Sequence, residues 1–507
     1  MTDRLQQYVS IVPNENQKRL EKMGFYAFIH FGMNTFYNRE WGNGKEDPAR
    51  FNPTDLDTDQ WCRVLQDVGA KGVILTAKHH DGFCLWPTKT TEHCVRNSPY
   101  RNGKGDVVAE LAESCRKYGL KLGLYLSPWD RNAACYGSPA YNDFYCEQLT
   151  ELLTNYGELF TIWLDGACGS YMDGKPMQEY DFKRYFDLVH KLQPNCAISN
   201  CGPDVRWVGN EAGICRESEW NVVPKFQFDI QSVQAKSQQA EGDFVGNIDV
   251  VSEDLGSRNV LSHFDEFIWY PAEVDFSIRK GWFYHDNQKP HPLNRLMNVY
   301  YNSVGGNCML LLNIPPDRRG RIADRDVKRM HEFGERIRSA FARPVAAKCT
   351  ACTPAKSGMD WEDMQNGGTY SPAQVQDKYS MRLQWDSACK VDKVVLVENI
   401  DYSQRVEVFT ISTTQNGKEQ VLYHGTTIGH KKIALFAPTL CDNLTVTIEQ
   451  CRLEPYLEQV QIFETDNWQP KKNPFEKFIR WVHKVNYKIY VALAERGKAK
   501  NAKKQSE

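Results

Sequence analysis

Apolar residues in the first 340 positions fall into short β-like blocks: Phe25–Phe31, Gly72–Thr76, Leu120–Leu126, Leu159–Leu164, Cys196–Ser199 and Cys308–Ile314. Between several of them lie segments patterned as amphipathic helices. DTDQWCRVLQDVGA opens on Asp and Thr, both good N-caps, and closes at Gly69. DVVAELAESCRKYG ends on Gly119 in the same way. SPAYNDFYCEQLTELLTNYG and EYDFKRYFDLVHKLQP follow, the last stopped by Pro194. Strand alternating with helix predicts parallel strands joined by helical crossovers. Over residues 1–340 this favours a (β/α)8-type barrel over an open doubly wound sheet. No GxGxxG follows the first strand, which argues against dinucleotide binding.

The pattern changes after Phe341. ARPVAAKCTACTPAKSGMD reads as a linker. From Lys378 to Glu464 the chain runs through YSMRLQW, KVVLVENI, RVEVFTIST, KKIALFA, LTVTIEQ and VQIFE, with turn signals such as Asn416-Gly417 between them. These short runs predict an antiparallel β-sandwich over 341–466. In the last segment, 467–507, Phe475, Ile479, Val482, Val485, Ile489 and Leu493 recur at helical spacing with Lys and Arg interleaved. That predicts a basic amphipathic helix, docked on the body or in contact with a membrane surface or partner. KAKNAKKQSE beyond it is expected to be disordered.

Composition excludes more than it assigns. Hydrophobic residues at 41% and charged residues at 25% are ordinary for a soluble globular chain. A net charge of −2 gives no support to a nucleic-acid partner. No run reaches the roughly 18 apolar residues of a membrane span. The N-terminus lacks the pattern of a secretory signal. The chain as given therefore reads as cytoplasmic, although a mature exported form would read the same. The 16 cysteines include several in apolar contexts, such as Cys196 and Cys308, which suits buried free thiols better than disulfides. Cys349 and Cys352 form a lone CxxC with no second pair nearby to make a zinc site.

In a barrel, chemistry collects where strands end. The first block ends in His30 and the second in Lys78-His79-His80-Asp81. The third ends in SPWD, with Trp129 and Asp130, and the fourth in Asp165. RWVGNEAG, carrying Glu211, comes later. By position alone, Asp165 reads equally as a helix cap or as a catalytic carboxylate. Glycoside hydrolysis needs two carboxyls, one ionised and one keeping its proton near neutrality. His79 and His80 would point to opposite faces of a regular strand, and no HExxH spacing supplies further metal ligands. Imidazoles suited to sugar hydroxyls fit better, since each can donate and accept. Trp41 and Trp86 offer apolar faces that suit a sugar ring or plain packing.

Together, FIHFGMNTFYNREWGNG, AKHHDGFCLWPTKTTEHCV, GLYLSPWDRN, WLDGACG and RWVGNEAG resemble the family 29 α-L-fucosidases over the first 340 residues. The LSPWDRN and RWVGNEAG blocks resemble the branch acting on α-1,3/1,4-linked fucose in Lewis-type glycans. HGTTIGHKKIALF resembles part of that family's C-terminal β-domain. The resemblance implies a retaining hydrolase in which Asp165 is the nucleophile and Glu211 the acid/base. It implies two carboxyls about 5–5.5 Å apart. Glu217 and Glu219, in CRESEW, are rivals for the acid/base. His30, His79, His80 and Tyr125 would bind fucose hydroxyls, and Glu40 and Trp41 would contact fucose or its neighbour. Trp86, Trp129 and Trp220 complete the candidate substrate-binding set. No cofactor or metal is expected, and a fucosylated oligosaccharide is the expected partner. The basic helix at Phe475–Arg496 has no counterpart in the family pattern. Alternatives are a fucosidase of broader linkage range, a galactoside hydrolase, and a non-catalytic binder of fucosylated glycans.

Overall fold

Strand and helix alternate as the hydrophobic pattern predicts, in a computed structural model that describes residues 2–167, 178–225 and 254–471. The first five apolar blocks become β1 (Phe25–Ile29), β2 (Gly72–Lys78), β3 (Lys121–Leu126), β4 (Leu159–Leu164) and β5 (Ala197–Asn200). A two-residue strand, β6 (Arg206–Trp207), follows. An antiparallel ribbon of β7 (Val222–Pro224) and β8 (Phe267–Trp269) precedes β9 (Ala272–Ser277). The sixth block forms β10 (Cys308–Asn313). Eight of these strands join in parallel in the order β5-β4-β3-β2-β1-β10-β9-β6. A parallel bridge from Ser199 to Val205 brings the two ends together into a nearly closed barrel.

The crossover helices start and stop where their sequences dictate. Asp57 accepts the Gln60 N–H at 2.7 Å to cap Thr58–Val68, and Gly69 ends that helix with φ 90°. Asp106 caps Val107–Tyr118, which ends at Gly119 with φ 68°. Asp181 caps Phe182–Leu192. Alternate strand residues serve two layers. Val73, Leu75, Leu124, Ile162, Val274 and Leu310 pack outward against the helices. Tyr26, Phe28, Ile74, Tyr125, Trp163 and Leu311 fill the lumen. Each large apolar side chain buried in this way contributes about 1.5–3 kcal/mol. In the lumen, Glu273 of β9 accepts hydrogen bonds from the Tyr26 hydroxyl and, at 2.7 Å, from the Trp163 indole.

The C-terminal domain is antiparallel throughout. Its strands are β11 (Lys348–Cys352), β12 (Tyr379–Glu398), β13 (Val406–Gln415), β14 (Lys418–Gly425), β15 (Lys432–Cys451) and β16 (Leu457–Glu464). They form one sheet rather than two separate ones, because β12 and β15 are long enough to serve both halves. Register breaks between Gln384 and Cys389 and between Val391 and Lys393 bend β12. Residues on both sides of those breaks, Leu383 and Leu396 among them, share one core.

The described cysteines are free thiols. Among the described residues, no helix is long and apolar enough to cross a membrane. The sequence-predicted basic helix lies outside the described residues.

Candidate active site

The ends of β1 to β4 converge at one mouth of the barrel. Asp165 directly follows β4. Its Oδ2 accepts the Tyr125 hydroxyl at 2.8 Å, and its Oδ1 accepts the Ala167 N–H at 2.8 Å in a local turn. The next helix among the described residues begins at Phe182 and has its own cap in Asp181. Burial and the adjacent Asp165 charge raise the Tyr125 pKa well above its usual value, so the phenol stays a donor.

Three imidazoles cluster at this mouth, His80 and His30 close enough to feel the Asp165 charge. β2 stops at Lys78, so His79 and His80 lie in a turn rather than on opposite faces of a strand, with ring centroids 4.1 Å apart. His80 Nε2 stands 3.8 Å from Asp165 Oδ2. Its Nδ1 lies 2.7 Å from Ser127 Oγ, whose own proton goes to the Trp129 carbonyl. His80 must therefore donate from Nδ1, which leaves Nε2 as an acceptor. His30 is held in the same sense: Asn313 Oδ1 takes its backbone N–H and lies 2.9 Å from its Nδ1. His79 is the opposite tautomer. Its Nδ1 faces the Asn34 Nδ2, which is oriented by the Glu40 carbonyl, and Nε2 is left as a donor. Burial pushes the His30 pKa down to about 3, that of His79 well below its usual value, and that of His80 down against the pull of Asp165. All three are thus neutral near pH 7. Two acceptors and one donor beside a carboxylate make a site for neighbouring hydroxyls.

Glu211 follows β6 on a solvent-reaching loop. Desolvation raises its carboxyl pKa, and the negative charges of Asp165 and Glu40 add to the rise. A hydrogen bond from the Trp282 indole opposes it. One carboxyl thus takes two hydrogen bonds at a strand end while a second is biased toward its protonated form. That is the division of labour a glycoside hydrolase needs.

The α-L-fucosidase family model matches residues 13–339. The chain belongs to that family, glycoside hydrolase family 29. It is 38% identical over 465 residues to "Alpha-L-fucosidase 1" of Arabidopsis thaliana, covering 89% of this chain and 87% of that one. A putative α-L-fucosidase of rice, Oryza sativa subsp. japonica, is 37% identical over 90% of this chain and 86% of its own length. Among solved structures, a putative α-L-fucosidase from Bacteroides ovatus superposes with a TM-score of 0.81 at 43% identity, over 93% of this chain and 78% of that one. A family 29 fucosidase from Ruminococcus gnavus, solved in complex with fucose, has a TM-score of 0.78 at 29% identity, over 90% and 95%. The chain is an α-L-fucosidase by family and fold.

Several of the sequence-predicted residues of this fucosidase take other places. Glu40 acts as a loop anchor: its Oε2 accepts the Trp282 N–H at 2.8 Å, and its Oε1 meets His285 Nε2 at 2.6 Å. A Cβ at Gly281 would overlap that carboxylate, so a larger residue there would displace Glu40 from its anchor. Trp41 is 44% exposed and stands edge-on to His80 and Trp129, at centroid distances of 5.7 and 5.5 Å. Trp129 is buried and backs His80 at 4.9 Å. Trp86 is not at the mouth. It is buried in the barrel's helix layer, and its indole donates to Glu151 at 2.7 Å. Trp220 is also elsewhere, buried with the Arg452 guanidinium 3.7 Å above its ring, on the side facing the β-domain.

The rival glutamates separate on the same grounds. Glu219 is fully buried and paired with Arg206 and Arg216; burial alone would raise its pKa, but the two cations bring it below its usual value. A proton donor cannot be held that way. Glu217 lies at the junction with the β-domain, where its backbone carbonyl accepts the Thr426 hydroxyl.

Trp282 and Phe283 carry no signal in the sequence. Trp282 lies 5.1 Å from His30, and Phe283 lies 5.0 Å from His79. Their run, RKGWFYHDN, is polar on both sides and follows a strand whose inward residues are Glu and Asp, so no apolar block pointed to it.

Proposed function

We propose that this α-L-fucosidase is a retaining exo-enzyme that releases L-fucose from α-1,3/1,4-fucosylated, Lewis-type oligosaccharides by double displacement. The observation that carries the reading is Asp165, a carboxylate at a strand end beside three neutral imidazoles, with the proton-biased Glu211 across the mouth. Asp165 attacks the anomeric carbon while Glu211 gives its proton to the departing glycosidic oxygen, leaving a fucosyl ester on Asp165. Glu211, now ionised, takes a proton from water as that water attacks the same carbon, and Asp165 leaves with its electron pair. The acceptor Nε2 atoms of His30 and His80 and the donor Nε2 of His79 take fucose hydroxyls. The LSPWDRN and RWVGNEAG blocks support the branched linkage.

The test combines two variants with a substrate panel. Asp165→Asn should fold normally and lose at least about 10³-fold in kcat. Glu211→Ala should lose about 10²–10⁴-fold on a natural glycan, less on an activated aryl fucoside, and recover with azide to give an α-fucosyl azide. Near-normal turnover by Asp165→Asn, or an inverted first product from the wild type, would sink the mechanism. Lewis-a and Lewis-x glycans and 3-fucosyllactose should be cleaved in preference to 2′-fucosyllactose. The reverse preference would sink the linkage.

A further inference from the structure

Trp207 is the last residue of β6, four positions before Glu211, and the function described so far does not use it. Among the described tryptophans only Trp41 and Trp207 are largely exposed, at 44% and 41%. Both stand at the barrel mouth. Trp41 packs beside His80 at the end of β2, and β6 is four strands away from β2 around the ring. The site therefore has one exposed indole on each of two opposite flanks.

The orientation of Trp207 is fixed from inside the barrel. Its indole N–H donates to Asp275 Oδ1 at 2.7 Å. Asp275 lies on β9 between Val274 and Phe276, which face the helix layer, so its carboxyl points into the lumen, as that of Glu273 does one pleat below. Asp275 is only 4% exposed. Burial, followed by the nearby Glu211 charge, drives its pKa well up, opposed by the Trp207 hydrogen bond. A buried carboxyl is costly, and an indole that is nearly half exposed gains little from burial. Neither feature helps folding. Together they hold a flat apolar face rigidly over the mouth, beside the residue that protonates the leaving sugar. Such preorganisation is what a binding surface requires.

We infer that Trp207 is a stacking platform for the pyranose ring of the leaving group, the sugar to which fucose is attached, and that Asp275 is the positioning residue that fixes its angle. This rests on the hydrolytic reading of Asp165 and Glu211 but not on any particular linkage. An aryl fucoside has no leaving sugar, so it gives the internal reference.

The experiment measures kcat/KM for the best-cleaved fucosyl-oligosaccharide and for an aryl fucoside, in the wild type, Trp207→Ala and Trp207→Phe. The oligosaccharide-to-aryl ratio should fall about tenfold in Trp207→Ala and be largely restored in Trp207→Phe. Asp275→Ala should lower the same ratio, and Asp275→Asn, which keeps an acceptor oxygen, should lower it less. As a second readout, the fucose-free disaccharide of that substrate should inhibit Trp207→Ala about tenfold more weakly than wild type. A ratio and an inhibition constant both within twofold of wild type in Trp207→Ala would overturn the inference. So would equal losses on both substrates. Loss of linkage preference in the wild type itself would instead count against the Lewis-type reading and leave these ratios interpretable.

Discussion

At Glu211, partial desolvation and the negative charges of Asp165 and Glu40 push the carboxyl pKa up, while the Trp282 hydrogen bond pulls it down. The proposed first chemical step needs the acid form, so on that reading its titration sets the alkaline limb of kcat/KM. Trp282→Phe keeps a ring beside His30 but removes the N–H that favours the carboxylate. The Glu211 pKa should rise, and the alkaline limb should move to higher pH. Glu40→Gln removes a negative charge, so the limb should move the other way. Limbs that do not move would show that neither residue acts on Glu211, and limbs that move together would overturn the opposite signs assigned to them. This part of the site was only half legible. His30, His79, His80 and Asp165 stand out because polar residues interrupt apolar blocks at strand ends. Trp282 acts through an indole nitrogen presented by a loop, and nothing in its neighbours signals that. Trp86 and Trp220 show the converse: each could be read as a sugar platform, and only its packing partners, Glu151 and Arg452, place it away from the mouth.

Among the elements, the strands that could be read are those whose lumen-facing residues are apolar. β9 was hidden because its inward positions are Glu273, Asp275 and Ser277, so AEVDFS reads as no buried strand at all. β6 has only two residues and no periodicity to read. The same polar lumen has a consequence for stability. Glu273 is fully buried, and burial pushes its pKa up to about 7, with hydrogen bonds from Tyr26 and Trp163 opposing the rise. Its folded pKa lies above the ordinary carboxyl value of 4.5. Its contribution is therefore fully present below about pH 4.5 and is lost as pH rises through about 7. Glu273→Gln cannot ionise. Relative to wild type it should gain stability between pH 4.5 and 8, by up to about 3 kcal/mol at the alkaline end. Urea unfolding at both pH values measures this. A difference between variant and wild type that stays flat with pH would mean that Glu273 is ionised in the folded barrel or neutral in the unfolded chain.

For the whole molecule, the change from mixed to alternating patterning after Phe341 announces a second domain but not how it meets the first. The junction is built from residues far apart in sequence. Gln404 accepts the Asn221 N–H at 2.8 Å and donates to the Glu219 carbonyl at 3.0 Å. Arg258, from the barrel side, pairs with Glu407 of β13. At the centre, Arg452 is fully buried, with its guanidinium over Trp220, an ion pair to Glu407 at 3.1 Å and a hydrogen bond to the Gly256 carbonyl. Trp220 adjoins Glu219, which pairs with Arg206 at the start of β6, the strand that ends in Trp207. The β-domain thus braces the segment that carries the proposed proton donor, and the brace depends on a cation removed from water. Arg452→Ala leaves a void over Trp220 and takes one of two cations from Glu407; Arg258 remains, which limits the loss. A destabilisation of about 2–4 kcal/mol is expected, with barrel and sheet still unfolding together because Gln404 and Arg258 continue to join them. Urea unfolding followed by tryptophan fluorescence and by far-ultraviolet circular dichroism decides between the possibilities. A shift below about 0.5 kcal/mol would give Arg452 the weight of an exposed charge. Two separated transitions would show that this one guanidinium couples the domains.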